Sequence, residues 1–232
     1  MRNFIFKFVF FFGLIIILLL FLPTLFLSNK YVLFGGKLLG KWTAICLKIF
    51  FSTKINVKGL ENLDGIGKYF IACSHQSMFE TFYLQTIFNS PIFILKTELL
   101  NIPVFGWYLK KINSISISRN KITKENFGLI DKIKKTMNDT NRPLIIFPQG
   151  TRTSSEDRSP FKKGVSKIYS QLNIKCLPVA INSGSVWPKS GSMKNNKSIT
   201  ISILKPIEPG IDQKNFLEII EKVIYSELDH IH

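Results

Sequence analysis

The stretch Phe8–Leu27, FVFFFGLIIILLLFLPTLFL, runs for twenty residues without a charge. Few structures can hold such a run. In a bilayer every backbone N–H and C=O must be satisfied within the segment, which leaves a helix as the single-segment solution. At about 1.5 Å per residue the helix spans roughly 30 Å, the thickness of a hydrocarbon core. A cleaved signal peptide would have a shorter apolar core, about 7–15 residues, followed by a small-x-small cleavage site. Here the run ends in Leu-Ser-Asn-Lys-Tyr. The expectation is an uncleaved membrane anchor. Pro23 leaves open whether it crosses the bilayer or dips and returns.

The next stretch, Tyr31–Phe51, places Lys37, Lys41 and Lys48 at spacings of four and seven among apolar residues and Trp42. On a helix these lysines share one face. Two readings stand: an interfacial helix whose lysines meet anionic headgroups, or an amphipathic helix packed on the following domain. The preceding anchor favours the first. Residues 1–52 are therefore read as a membrane anchor with an interfacial helix, and 53–232 as a separate domain.

Charge narrows the partners. Lys and Arg number 31 against 15 Asp and Glu, a formal net charge of +16. The first acidic residue is Glu61, so the N-terminal basic residues have nothing to offset them. A polyanionic partner is implied: nucleic acid, an anionic membrane surface or a phosphorylated substrate. No nucleic-acid-binding motif occurs, and much of the charge follows a membrane segment, so nucleic acid is not expected. The lysines after the apolar run favour a cytoplasmic body. Cys46, Cys73 and Cys176 are widely spaced and form no CxxC. They read as reduced, packed thiols, and no metal site is expected.

From Ile55 onward, short apolar runs alternate with helix-period segments. The strand candidates are 69–74, 91–95, 114–118, 143–147, 175–181 and 198–204. The helix candidates are Met78–Phe88, Thr123–Asn138, Lys163–Leu172 and Asp212–Leu228. Such alternation predicts an α/β domain with a largely parallel mixed sheet flanked by helices, its sites gathered in the loops at strand ends. The stretches Thr151–Pro160 and Gly184–Lys197 read as surface excursions.

One histidine, His75, lies within the body of the chain; the others are His230 and His232. It sits in Cys-Ser-His-Gln-Ser-Met-Phe-Glu-Thr, directly after a strand candidate. Ser77 to Glu80 fits a capping box, S-x-x-E, opening the next helix, with His75 a bystander. The other reading pairs His75 with Glu80. On a continuous helix a five-residue separation turns about 140°, so the pair meets only if His75 lies in the entry loop and Glu80 in the first turn. The carboxylate would then fix the imidazole tautomer and leave the second nitrogen as a general base. The local sequence supports both readings equally.

Three further stretches bear on this. Leu144–Arg152 reads LIIFPQGTR, a strand followed by a turn at Gly150 and a forked anion donor at Arg152. Ile94–Arg119 puts Lys96 at one strand exit and Arg119 at the next. Leu177–Gly184 reads LPVAINSG, again strand into loop.

In this order HQSMFE, KTELLNIPVFGWYLKKINSISISR, FPQGTR and LPVAI resemble the motifs of the glycerolipid acyltransferases of the 1-acylglycerol-3-phosphate acyltransferase type. That family's pattern is His-x4-Asp, a glycine/arginine block, Phe-Pro-Glu-Gly-Thr-Arg and a Pro-containing strand. The resemblance covers roughly residues 55–185. It implies a glycerolipid acyltransferase-like domain preceded by N-terminal membrane helices. It also implies transfer of a fatty acyl group from acyl-CoA or acyl carrier protein to the sn-2 hydroxyl of lysophosphatidic acid, giving phosphatidic acid. By the same resemblance His75 and Glu80 are catalytic, while Lys96, Arg119, Gln149, Gly150, Thr151 and Arg152 bind substrate. No cofactor beyond the acyl donor is implied. Membrane lipids are the expected partners, and the expected place is a bacterial inner membrane with the catalytic domain on its cytoplasmic face.

Two positions depart from the pattern. Glu80 replaces the commoner aspartate and keeps the carboxylate. Gln149 replaces the commoner glutamate, removing a charge but adding a donor. The position is therefore expected to be structural or substrate-orienting. The alternatives are another acceptor, such as glycerol-3-phosphate or a lyso-aminolipid, and a non-enzymatic tethered binder of anionic lipid.

Overall fold

The computed structural model describes residues 1–117 and 128–231 of the chain. In chain order it contains α1 (Arg2–Leu20), a 3-10 turn (Leu22–Phe26), α2 (Asn29–Phe51), β1 (Lys54–Lys58) and β2 (Tyr69–Cys73). There follow α3 (Phe79–Ile87), β3 (Ile92–Lys96), α4 (Phe105–Lys111), β4 (Ile115–Ile117) and α5 (Leu129–Thr140). The chain continues through β5 (Leu144–Ile146), α6 (Gly164–Leu172), β6 (Lys175–Ile181), β7 (Ser198–Ile203) and α7 (Gln213–His230). The described residues form two compact units, Met1–Cys46 with Thr81–Leu144, and Leu47–Glu80 with Ile145–His232.

In the first unit the uncharged run is not one continuous helix. α1 stops at Leu20, and Pro23 lies in the first turn of a 3-10 segment, where its missing N–H costs nothing. α1 is the one helix among the described residues long and apolar enough to cross a membrane, and only 11% of its most apolar window is buried. Its inner face is set by Phe6 and Phe10. The Trp42 indole of α2 donates to the Phe10 carbonyl (3.1 Å), and Phe82 of α3 meets the Phe10 ring edge-on at 5.8 Å. α2 comes so near α3 that a Cβ on Gly40 would lie 2.6 Å from the Phe82 carbonyl oxygen. Phe4, Phe8, Phe12, Ile15 and Leu19 of α1 remain exposed. Lys41 and Lys48 of α2 are exposed and Lys37 is half-buried.

β3 and β4 pair in parallel in this unit. They are tied to neighbouring turns by Arg142, whose buried guanidinium donates to the carbonyls of Ser90 (2.5 Å), Ile112 (2.8 Å) and Pro91 (3.3 Å). Burial lowers its pKa to about 10, so it stays charged at neutral pH. Charge-assisted bonds are worth roughly 1.5–3 kcal/mol each, and orphaned carbonyls cost more. Arg142→Met is therefore expected to destabilise the protein by about 2–4 kcal/mol, read as a lower urea midpoint at unchanged slope.

The second unit holds the strand order β1-β7-β6-β2. β1 pairs with β7 and β2 with β6 in parallel, whereas β6 and β7 are antiparallel. A parallel return needs a crossover of a dozen or more residues, usually helical. Between β6 and β7 the chain offers only a 3-10 turn, Ser183–Ser185, within a polar loop. Among these four strands the antiparallel pairing is thus the β6–β7 one. Outside it, α7 buries Phe216, Ile220, Ile224 and Leu228, a stripe at spacing four. Phe216 stacks on Tyr169 of α6 at 3.7 Å. Asp212 caps α7 by accepting from the amides of Lys214 and Asn215.

Candidate active site

The candidate site is built within the second unit, where β2 gives way to α3. Ser74 pins the strand exit: its amide donates to the Val179 carbonyl (3.0 Å), and its hydroxyl accepts from the Ile181 amide (2.8 Å). His75 is the next residue and so leaves the sheet at the C-terminal end of β2. The Ser77 hydroxyl then accepts from the Phe79 amide (3.2 Å), capping the helix start.

Glu80 lies in the first turn and is fully buried. Its Oε1 accepts from the Gln76 amide (2.7 Å), the Ser77 amide (3.0 Å) and the Ser183 hydroxyl (2.8 Å). The same oxygen lies 3.8 Å from His75 Nδ1, and the imidazole is 14% exposed. The capping box and the His–Glu pair are therefore one arrangement and not competing readings. Because Oε1 is held by three donors, the carboxylate cannot swing away from the ring. Neither His75 Nδ1 nor Glu80 Oε2 has a hydrogen-bond partner among the described residues. Such pairs commonly tighten only with substrate bound. The imidazole plane is set by stacking on Phe147, with ring centroids 4.0 Å apart.

Phe147 opens the second element of the site. The Gly150 amide donates to the Phe147 carbonyl (2.9 Å), closing a turn in which Gly150 takes φ +72°, where a side chain would be strained. The Thr153 amide donates to the His75 carbonyl (2.9 Å), tying the residue after Arg152 to the backbone of the histidine. Arg152 is half-buried and makes no hydrogen bond or ion pair among the described residues. Thr151 is exposed, and Gln149 is buried with its Oε1 unpartnered among the described residues.

The structure thus gathers His75, Glu80 and the Gln149–Arg152 loop. Lys96 is an exposed cation at the end of β3 in the first unit. Arg119 lies outside the described residues. Three members of the site escaped the sequence reading: Gln76, Thr153 and Ser183. Buried Gln76 accepts from the Gly184 amide (3.0 Å) through its Oε1 and so binds the loop after β6 to the site. Hydrogen bonds between residues so far apart in the chain carry no spacing signal, so only the fold exposes them.

Near the histidine, the nucleophile candidates are already committed. Burial, aided by the Glu80 charge, pushes the Cys73 thiol well above its usual pKa. Ser74, Ser77 and Ser183 each hold a backbone or carboxylate partner. What remains is an imidazole with a buried carboxylate facing one nitrogen at 3.8 Å and the other nitrogen open to take a proton from a hydroxyl.

Residues 54–182 match the family model described as Acyltransferase. The 1-acyl-sn-glycerol-3-phosphate acyltransferase of Pseudomonas aeruginosa is 33% identical over 150 residues, 65% of this chain and 58% of that protein. The enzyme of the same description from Helicobacter pylori is 30% identical over 193 residues, 81% of this chain and 79% of that protein. Among solved structures, the 1-acyl-sn-glycerophosphate acyltransferase PlsC of Thermotoga maritima superposes with a TM-score of 0.79. It covers 99% of this chain and 97% of that one at 22% identity, a likeness of fold.

Proposed function

The chain belongs to the acyltransferase family, and on that premise we propose that it transfers a fatty acyl group from a thioester to the sn-2 hydroxyl of lysophosphatidic acid, giving phosphatidic acid. The observation that carries this reading is the Glu80 carboxylate, buried, held by three donors and facing His75 Nδ1 at 3.8 Å. An alcohol is a poor nucleophile until its proton is removed. The second nitrogen of His75 takes that proton as the acceptor oxygen attacks the thioester carbonyl. Glu80 holds the ring orientation and stabilises the imidazolium that forms. On collapse of the tetrahedral intermediate the C–S bond breaks. The thiolate takes the proton back and leaves as the free thiol of CoA or acyl carrier protein.

The acceptor phosphate needs a cation not already in use. Arg152 meets that description in the second unit, and its planar fork matches phosphate oxygens. Lys96 is the further candidate from the first unit.

The reaction's acceptor and product are lipids, and the surface of the first unit supports a location at the bilayer. α1 exposes an apolar face, and Trp107 of α4 is exposed beside Lys110. Aromatic rings near lysines suit the headgroup boundary. We read α1 as the membrane anchor and the cytoplasmic leaflet as the face served.

The test is a panel. Purified full-length protein is given lysophosphatidic acid, glycerol-3-phosphate and a lyso-aminolipid, each with acyl-CoA and with acyl carrier protein as donor. Phosphatidic acid formed from lysophosphatidic acid at the highest kcat/KM is the expected result. Preferred use of another acceptor would move the substrate assignment while leaving the chemistry. No acyl transfer in any combination would overturn the reading.

A further inference from the structure

Helix α7 lies wholly beyond residues 54–182, the span of the family match, and the mechanism above makes no use of it. Its core stripe, Phe216, Ile220, Ile224 and Leu228, already buries the helix. One residue further round runs a second stripe at the same spacing: Glu221, Tyr225 and Asp229. All three reach the loop that carries Arg152. Glu221 Oε2 accepts from the Phe161 amide (2.7 Å). The Tyr225 hydroxyl donates to the Ser159 carbonyl (2.5 Å). Asp229 Oδ1 accepts from Arg158 (2.5 and 3.2 Å). Phe161 packs edge-on against Tyr225 at 4.9 Å, and the Arg158 guanidinium lies over the same ring at 5.4 Å.

Tyr225 also lies within electrostatic reach of the front of the loop. Burial and the charges of Glu221 and Asp157 push its pKa up to about 12, against a smaller opposing influence of the Gln149 side chain. The phenol therefore holds Ser159, seven residues after Arg152, and lies near Gln149, three residues before it. We propose that Tyr225 is a positioning residue for the Arg152 loop, so that α7 sets the affinity for the phosphorylated acceptor from outside the motif-bearing part of the chain. The proposal rests on the reading of Arg152 as the phosphate-binding cation.

The same proximity bears on Gln149. The phenol proton is directed to the Ser159 carbonyl, so Tyr225 presents a lone pair to residue 149. A donor suits that lone pair better than a second acceptor does. An amide supplies one and an ionised carboxylate cannot. In this chain the family's commoner glutamate would face an acceptor with an acceptor.

The experiment is a double-mutant cycle in the full-length protein: Tyr225→Phe, Gln149→Glu and the double variant, with Ile224→Val as a control that loosens the core stripe. Acceptor and donor KM, kcat and the thermal midpoint are measured for each. A neutral hydrogen bond is worth roughly 0.5–1.5 kcal/mol, so Tyr225→Phe is expected to raise acceptor KM about 2- to 10-fold. Donor KM should stay within about twofold, since nothing on the donor side is altered. Gln149→Glu should raise acceptor KM further, and the double variant should fall well short of the product of the two effects. Ile224→Val should lower the thermal midpoint without moving acceptor KM. Equal changes for both substrates, a change confined to the thermal midpoint, or an additive cycle would overturn the positioning role. If the wild-type protein makes no phosphatidic acid, the functional reading has failed instead, before any variant is compared.

Discussion

His75→Ala is expected to lower kcat at least about 10²-fold, within the range of 10²–10⁴ that a positioned general base contributes. The fold should survive. The buried carboxylate of Glu80 keeps all three donors, Gln76, Ser77 and Ser183, and none of them is His75. The Thr153 tether reaches the backbone carbonyl of residue 75, which alanine retains. The loss on the folded side is the ring contact with Phe147. Circular dichroism and the thermal midpoint should therefore remain close to wild type while turnover collapses. His75→Gln keeps a polar side chain of similar reach and should be equally slow, because an amide cannot take the proton. A folded alanine variant turning over within a few-fold of wild type would remove His75 from the chemistry.

Arg152→Ala is expected to reduce kcat/KM for lysophosphatidic acid about 10- to 150-fold, with little effect on the acyl donor. The range follows from losing one or two charge-assisted hydrogen bonds to phosphate, roughly 1.5–3 kcal/mol. The loop itself should hold, since the Gly150 turn and the Thr153 tether involve backbone groups that the substitution leaves in place. Arg152→Lys should stay impaired, because an ammonium cannot reproduce a planar fork. Steady-state kinetics with each substrate varied in turn makes the check. Equal losses for acceptor and donor would transfer the phosphate-binding role to Lys96 or Arg119.

Much of the α/β body was legible because its buried strands are short continuous apolar runs. Tyr69–Cys73, Leu144–Ile146 and Lys175–Ile181 form strands within the segments expected. The strand β1 was not legible. Lys-Ile-Asn-Val-Lys alternates exposed and half-buried residues at the edge of its sheet, and two lysines hide its apolar side. Helix α4 is only seven residues long, too short to show a period. The antiparallel turn between β6 and β7 depends on what joins them, and Gly184–Lys197 read only as a polar excursion. The uncharged run Phe8–Leu27 announced a helix, but its ending at Leu20 depended on how Pro23 is accommodated. The expected helix Thr123–Asn138 is described from Leu129 onward, its earlier residues lying outside the described chain.

At the site, sequence spacing raised a choice between a capping box and a catalytic pair. In the structure one carboxylate oxygen both accepts from the cap amide of Ser77 and faces the His75 ring at 3.8 Å. Spacing could not show this, because the third donor, Ser183, comes from a loop 103 residues away. Gln149 is a similar case. The sequence marks it as a departure from the family pattern, and only the fold brings it near Tyr225 of α7.

The central claim is direct transfer from thioester to lipid hydroxyl, with His75 as the base and no acyl group passing through the protein. Mass spectrometry tests it most directly. The full-length protein is mixed with acyl donor alone and with donor plus lysophosphatidic acid, and both protein and lipids are weighed. The account predicts phosphatidic acid only when both substrates are present, and an unmodified protein mass throughout. A protein carrying one acyl group after exposure to donor alone, able to pass it on when acceptor is added, would contradict it.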